Sequence, residues 1–335
     1  QRAQACANNS NREERRDNNG IIKIEPTGVY TSMTCFTVDN ESHLFLMNDY
    51  IVTHNTRLAV GDACQLAYPC RFDWSTMKWI VTGSTETVLF IATEQSFREI
   101  RKLILAYLSG ISESEFAYAN FSERQELILQ QSVKIMKQYE NNFHIIRMPD
   151  PSIELVKTMV RENCILHDIH YVFYDYIFIS NALIREFEHT GLRNDEALLL
   201  LSTALKDLAV ELNVFVSTST QSTQKEGQVG EIKGAQNIAG AKAIINKADI
   251  GVIISRPTKD ELDMLQKVNN YSIPPNLVTD VHKVRAGRWN NLRIWSYVDL
   301  GTMYRKDLFV TDANLEAIPD FQVHGLLSNW EESEI

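Results

Sequence analysis

From Thr56 onward short apolar runs alternate with segments of helix length, and no other feature constrains the fold of this chain as strongly. Strands are expected at "VLFIATE", 143–148, 170–179, 214–220 and 249–255, and helices at 57–67, 97–108, 122–140, 152–166 and 193–212. Strands separated by helices must be joined by crossovers, so the expectation is an α/β chain with a mainly parallel sheet. A hairpin is expected within "MKWIVTGSTETVLFIATE", and the C-terminal part, "VTDVHKVRAG" and "LRIWSYVDLG", reads as β-rich.

The chain ahead of Thr56 has a different texture. Residues 1–20 are polar, rich in Asn and Arg and without periodicity, and read as a disordered lead. Residues 21–55 carry short alternating runs, "IIKIEPTGVY", "TCFTVDN" and "HLFLMNDYIVTHN", and read as a small all-β segment. With an acidic, weakly patterned tail at 319–335, the expected division is 1–20, 21–55, 56–318 and 319–335. A chain of 335 residues with 44% hydrophobic and 23% charged residues can bury a full core. No run of 18 apolar residues and no signal-peptide core is present, and the five scattered cysteines suggest neither a zinc site nor a disulfide scaffold. A cytoplasmic, membrane-free location is expected. The net charge of -10 argues against a chain coated in nucleic acid but leaves room for a local basic face. The first residue is Gln, consistent with a piece of a longer reading frame.

The join between the two textures carries chemistry. In "VDNESHLFLMNDYIVTHNT" a strand with Val38 is followed by His43, a hydrophobic run, then His54, Asn55 and the hydroxyl residue Thr56. An Asn side-chain amide can attack its own carbonyl carbon through a five-membered ring and release the following chain. A neighbouring His can protonate at that carbonyl, and a following hydroxyl can accept an acyl group. The block resembles the C-terminal splicing blocks of inteins. The resemblance implies protein splicing at Asn55–Thr56, with His43, His54, Asn55 and Thr56 as the splicing residues. Cys35 and Thr53 also occur in inteins that start from an internal Cys, and common inteins can carry both. The N-terminal half of an intein is not found in residues 1–20, so the expectation is a split intein or a sequence truncated upstream.

Beyond the join, "TRLAVGDACQLAYP" resembles the helix start after the lysine of a P-loop, whose terminal hydroxyl binds Mg²⁺ at that helix start. Four further positions fall at strand ends: Glu94 after "VLFIAT", Asp175 in "HYVFYDYIF", Gln221 after "VFVSTST", and Lys283 with Arg285 in "VHKVRAGRW". This order resembles the RecA-like C-terminal domain of the DnaB replicative helicase family over about residues 56–318. The resemblance implies a RecA-like P-loop ATPase core that uses ATP and Mg²⁺. Thr56 and Asp175 would hold the metal, Glu94 would orient water, Gln221 would sense the γ-phosphate, and Lys283 and Arg285 would act on a neighbouring subunit's nucleotide. It also implies a homo-hexamer on single-stranded DNA and an upstream polypeptide carrying the rest of the P-loop. The chain departs from the family in lacking an Arg after "STSTQ" and in lacking the Gly-rich loop. Contact with DNA, by resemblance, falls in the loop after Gln221. There Lys225, Lys233, Lys242 and Lys247 stand against Glu226 and Glu231, a local surplus of +2. A solvated loop would have the same composition. Two rivals remain at this point: another RecA-like DNA-dependent ATPase such as a recombinase, and a non-catalytic DNA-binding remnant.

Overall fold

The computed structural model of the chain describes residues 21–23, 37–38, 54–220, 247–268, 273–285 and 291–318. The chain divides into two compact units, residues 1–53 with 225–229, and residues 54–224 with 230–335. In the first, β1 (Ile21–Lys23) and β2 (Thr37–Val38) pair antiparallel with Ile21 opposite Val38. The expected positions His43, Gln221, Lys225 and Lys233 and the tail at 319–335 lie outside the described residues.

The second unit opens with α1 (His54–Ala67). Here the expectation needs correcting, because the helix begins at His54: His54 and Asn55 are its first residues and do not end a strand. A second correction concerns the hairpin. It is formed by β3 (Cys70–Asp73) and β4 (Lys78–Val81), not by "MKWIV" with "VLFIATE". The turn explains the choice: the Asp73 carboxylate accepts from the Ser75 amide at 3.0 Å and from the hydroxyls of Ser75 at 2.9 Å and Thr76 at 2.8 Å, closing the chain on itself just after Cys70–Asp73.

The released strand, β5 (Val88–Ala92), lies inside a four-stranded parallel sheet with β6 (Phe143–Arg147), β7 (Tyr171–Asp175) and β8 (Phe215–Thr218), in the order β6-β5-β7-β8. Val88 to Ala92 are all buried, as expected for a continuous apolar run covered on both faces. On one face α1, α2 (Phe97–Ser109) and α3 (Glu123–Gln138) pack through Val60, Ala63, Ile100 and Ile104 against Phe90, Phe143 and Phe173. On the other, α4 (Ile153–His167), α5 (Asn181–Phe187) and α6 (Asn194–Glu211) pack through Val156, Val160, Leu183 and Leu205 against Leu89, Ile91, Val172 and Tyr174. The helix starts have local causes: the side chains of Ser96, Ser122, Ser152 and Ser180 each accept from an amide of the first turn. Gly110 ends α2 with φ 63, a conformation that favours glycine.

The β-rich end forms a separate four-stranded antiparallel sheet. It comprises β9 (Ile250–Ser255), β10 (Leu277–Val284), β11 (Leu292–Asp299) and β12 (Tyr304–Thr311), with α7 (Lys259–Val268) between β9 and β10. The described residues thus split the expected mainly parallel sheet into one parallel and one antiparallel sheet. α1 touches both. Its Leu58 is buried with Leu277 and Val298 of the antiparallel sheet. Its Arg57 donates to the Leu300 carbonyl at 2.9 Å and to Glu113 at 2.6 Å, and Glu113 also pairs with Lys102 at 2.8 Å. Burial pushes the Glu113 carboxyl up, but the bonds from Lys102 and Arg57 outweigh it and hold the group below its ordinary value.

α1 also approaches the turn between β11 and β12 closely at Gly61, where a Cβ would stand 2.9 Å from the Met303 carbonyl oxygen and 3.1 Å from its Cβ. Alanine would favour the helix by about 1 kcal/mol, whereas forcing an atom into a packed contact costs about 1–3 kcal/mol, and a backbone oxygen cannot swing aside. Gly61→Ala is therefore expected to lower the denaturant midpoint, with a net loss on the order of 1 kcal/mol. A raised midpoint would show that helix propensity outweighs the contact.

Candidate active site

Register in the parallel sheet sets the site. Ala92 lies beside Asp175, and Tyr174 beside Thr218, so the residues that follow β5, β7 and β8 emerge at one edge, the carboxyl end of the strands. Ligands of open α/β sheets bind at that edge. The peptide carbonyl of Asp175 accepts from both the amide (2.9 Å) and the hydroxyl (2.8 Å) of Thr93. That double bond locks the two strand ends together. The Thr93 hydroxyl also accepts from the Tyr176 amide at 3.2 Å.

Three expected residues meet here. The buried Thr56, in the first turn of α1, donates its hydroxyl to the carboxylate of Asp175, a residue only 5% exposed. The Ser219 hydroxyl reaches the same carboxylate at 3.5 Å. Glu94 lies beyond β5, exposed, with one carboxylate oxygen accepting from the Tyr176 hydroxyl at 2.7 Å. Burial pushes the Asp175 carboxyl up to about 6. The Thr56 hydrogen bond opposes the rise, the Glu94 charge adds to it, and the Ser219 bond opposes it again. Burial likewise pushes the Tyr176 phenol up, helped by its bond to Glu94. Next along the chain, the buried amide oxygen of Gln95 has no hydrogen-bond partner among the described residues.

Lys283 and Arg285 lie elsewhere, at the end of β10 in the antiparallel sheet. Arg285 pairs with Asp249 at 3.4 Å, and Asp249 also binds Lys206, a bond that holds its carboxyl below the ordinary range. Burial pushes the Lys283 ammonium down, Arg285 lowers it further and Asp249 raises it.

Thr93, Tyr176 and Ser219 were missed from sequence. Their signal was present: each is a polar residue in "IATEQ", "YDYIF" or "STSTQ", next to a strand end already singled out. What it lacked was the register that brings those ends together.

The donor set is hard oxygen throughout, from a hydroxyl, a buried carboxylate and an exposed carboxylate, with a buried amide oxygen following Glu94 in the chain. Such a set suits Mg²⁺, which keeps most of its waters and takes one or two carboxylates together with substrate phosphates. Among the described residues no cluster of three or more His, Cys, Asp or Glu could hold a metal by itself, so a cation here would need ligands from a phosphate or water.

The family profile described as "DnaB-like helicase C terminal domain" matches residues 70–299. The chain belongs to that family. Glu94, Asp175, Gln221, Lys283 and Arg285 fall within the matched span, and residues 1–69, including Thr56, fall outside it. The chain is 30% identical over 272 residues to the "SPbeta prophage-derived uncharacterized protein YorI" of Bacillus subtilis (strain 168), covering 78% of this chain and 53% of that protein. Among solved structures it resembles a DnaB-like replicative helicase described with its interactions with primase. There the TM-score is 0.53 and the identity 16%, over 67% of this chain and 51% of that one. It also resembles a second solved structure, described as an ATPase domain, with TM-score 0.53 and 17% identity, over 67% of this chain and 75% of that one. At these identities the structures establish a shared fold. The chain spans about half the length of its curated relative. Among the described residues no helix is long and apolar enough to cross a membrane.

The raised Asp175 value has a consequence for stability. Because the folded pKa lies above the unfolded 3.8, the folded chain holds this proton more tightly. The contribution is intact below pH 3.8 and is lost as the pH rises through about 6. In the presence of a chelator, Asp175→Asn should match the parent near pH 4 and exceed it at pH 8 by up to about 3 kcal/mol. Denaturant titrations at both pH values check this. Equal stability at both would show that the carboxylate is solvated.

Proposed function

We propose that this chain is the motor part of an ATP-dependent DNA helicase, completed only when splicing at Asn55–Thr56 joins Thr56 to an upstream polypeptide carrying the Gly-rich part of a P-loop. The observation that carries the reading is the hydrogen bond between Thr56, in the first turn of α1, and the buried Asp175 carboxylate, with Glu94 at the same sheet edge. A hydroxyl at a helix start, a buried strand-end acid and a second, exposed acid are the side chains that phosphoryl transfer asks of a protein, since its catalysis is mainly positioning and charge stabilisation.

In this reading Thr56 and Asp175 would hold Mg²⁺, and the ion when bound would neutralise phosphate charge. Glu94 accepts the proton of the attacking water, and the Tyr176 hydroxyl, 2.7 Å away, holds one of its oxygens. Asp175, with its value near 6, is mostly ionised at neutral pH. Gln221 senses the γ-phosphate, and Lys283 and Arg285 act in trans across the interfaces of a homo-hexamer. Lys225 and Lys233 contact the backbone of single-stranded DNA. Domain limits of 21–55 for the intein segment and 56–318 for the motor go with this reading.

For splicing, the Asn55 amide nitrogen attacks its own carbonyl carbon, the Asn55–Thr56 peptide bond breaks, and the proton delivered by His54 leaves with the Thr56 amine, while His43 assists the preceding acyl transfer. Thr56 first accepts the upstream acyl group through its hydroxyl and afterwards serves the nucleotide site. The two tasks can be separated. With an upstream half that carries the P-loop and an intein start, Thr56→Ser and Thr56→Cys are both expected to splice. Only the Ser product should hydrolyse ATP near the parent rate, since a thiol is a poor ligand for a hard cation. Full turnover in the Cys product would contradict the double role. Asn55→Ala should leave the Thr56 amide bond uncleaved by mass spectrometry. In the ligated protein, Glu94→Gln should lower ATP turnover by about 10²- to 10⁴-fold with little change in nucleotide affinity. Turnover within a few-fold of the parent would remove Glu94 from the reaction.

A further inference from the structure

A bulge near the end of β10 changes what Arg285 faces. Val281 stands opposite Val252, and at that register Arg285 would fall opposite Ala248. His282 is the extra residue of the bulge, so beyond it Lys283 stands opposite Gly251 and Val284 opposite Ile250. The one-residue shift sets Arg285 against Asp249, whose carbonyl accepts from the Arg285 amide at 2.8 Å. Bulges re-aim side chains and are over-represented beside active sites. This one is kept at a cost, because the buried Nε2 of His282 has no hydrogen-bond partner among the described residues.

Asp249 therefore meets Arg285 twice, with its carbonyl at the base of the side chain and with its carboxylate at the tip. Oδ1 lies 3.4 Å from Nη1 of the guanidinium, while Oδ2 takes the Lys206 ammonium of α6. Lys283 lies two residues before Arg285, on the same side of the strand, and its ammonium also feels the Asp249 charge. Three cations thus surround one carboxylate, in a chain whose net charge is -10. A pair that only tied β9 to α6 would be balanced by Lys206 alone. The Arg285 side chain is 53% exposed, so a group held in place is also within reach of an incoming anion.

We propose that Asp249 is a positioning residue, whose carboxylate holds Arg285, with Lys206 as counter-cation, in place for the phosphates of a nucleoside triphosphate bound to a neighbouring copy of this chain. This inference rests on the reading of Arg285 as a group that acts in trans. A guanidinium carries five N–H donors in a planar fork, so it can keep a carboxylate contact and donate to a phosphate at once. Holding it beforehand removes the rotamer entropy that a long side chain would otherwise lose on reaching phosphate. Lys206 on Oδ2 offsets the carboxylate charge, which would otherwise repel the phosphate drawn to Arg285.

The test has two arms. In the full-length chain alone, NMR relaxation of the Arg285 Nε–H is expected to show an ordered group in the parent and in Asp249→Glu, and a flexible one in Asp249→Asn. In the ligated protein, Arg285→Ala should lower the ATP turnover number by about 10²- to 10³-fold, as loss of a charge-stabilising donor does. Asp249→Asn should lower it by about 10- to 100-fold with KM within about threefold of the parent, as misplacement of such a group does, and Asp249→Glu should restore most of the loss. Added to Arg285→Ala, Asp249→Asn should cost less than about twofold more, since both changes remove one interaction. Mixing Asp249→Asn subunits with Glu94→Gln subunits should raise turnover several-fold above either alone, because some interfaces then join an intact Glu94 to an intact Arg285 and Asp249. A purely structural defect would damage the variant's own site and give no such gain. Retained order of Arg285 in Asp249→Asn, fully additive losses, or no gain on mixing would overturn the proposal. Asp249→Asn as fast as the parent beside a slow Arg285→Ala overturns the proposal alone. A parent without ATP turnover, or Arg285→Ala as fast as the parent, overturns the trans-acting reading and the proposal with it.

Discussion

The pairing of β5 with β7 is the constraint on which the described site depends. Ala92 stands beside Asp175, and Thr93 grips the Asp175 carbonyl through both its amide and its hydroxyl. Shifting β7 by one residue would turn Asp175 to the other face and replace it with a bulky aromatic neighbour, since side chains alternate along a strand. With the register fixed, one edge collects the carboxylate, the Glu94 side chain beyond β5, and the hydroxyls of Thr56 and Ser219. The burial that raises the Asp175 value comes from the same packing that buries β5 along its length.

The parallel core was legible because its strands are continuous apolar runs, "VLFIA" and "YVFYD", separated by helices whose starts are marked by Ser96, Ser122, Ser152 and Ser180. The hairpin was misjudged because "CRFD" is too short and polar to show a period, and its pairing is set by side-chain bonds to Asp73 that composition does not reveal. The start of α1 was placed late because "THN" carries no apolar spacing, so only Leu58 and beyond announced the helix. At the site, Thr56, Glu94 and Asp175 were readable as strand-end and helix-start polar residues. Thr93, Tyr176 and Ser219 depended on which strand ends become neighbours, which lies in the tertiary pairing. Lys283 and Arg285 were readable as a basic pair, but not their place beside Asp249 in a second sheet.

α1 ties the proposed junction to the proposed nucleotide site. It begins with the residues of that junction, it presents Thr56 to Asp175, and it packs on the parallel sheet through Val60 and Ala63 and on the antiparallel sheet through Leu58. A helix so fixed at its far end leaves its first turn as a defined position against the sheet edge. Membership of the DnaB-like helicase C-terminal domain family rests on residues 70–299, and the proposed chemistry extends that match back to Thr56.

The central claim is that Thr56 and Asp175 would hold a nucleotide-bound cation, with Glu94 at the same sheet edge, once the upstream segment is joined. Mn²⁺ can replace Mg²⁺ on ATP and broadens the signals of nearby amides, so NMR of the ligated protein with Mn²⁺–ATP measures the position directly. Broadening is expected to centre on the amides of Thr56, Glu94 and Asp175 and to fade along β5 and β7 away from the carboxyl edge. Broadening centred on Asp249, Lys283 and Arg285, or spread evenly over the surface, would contradict the claim.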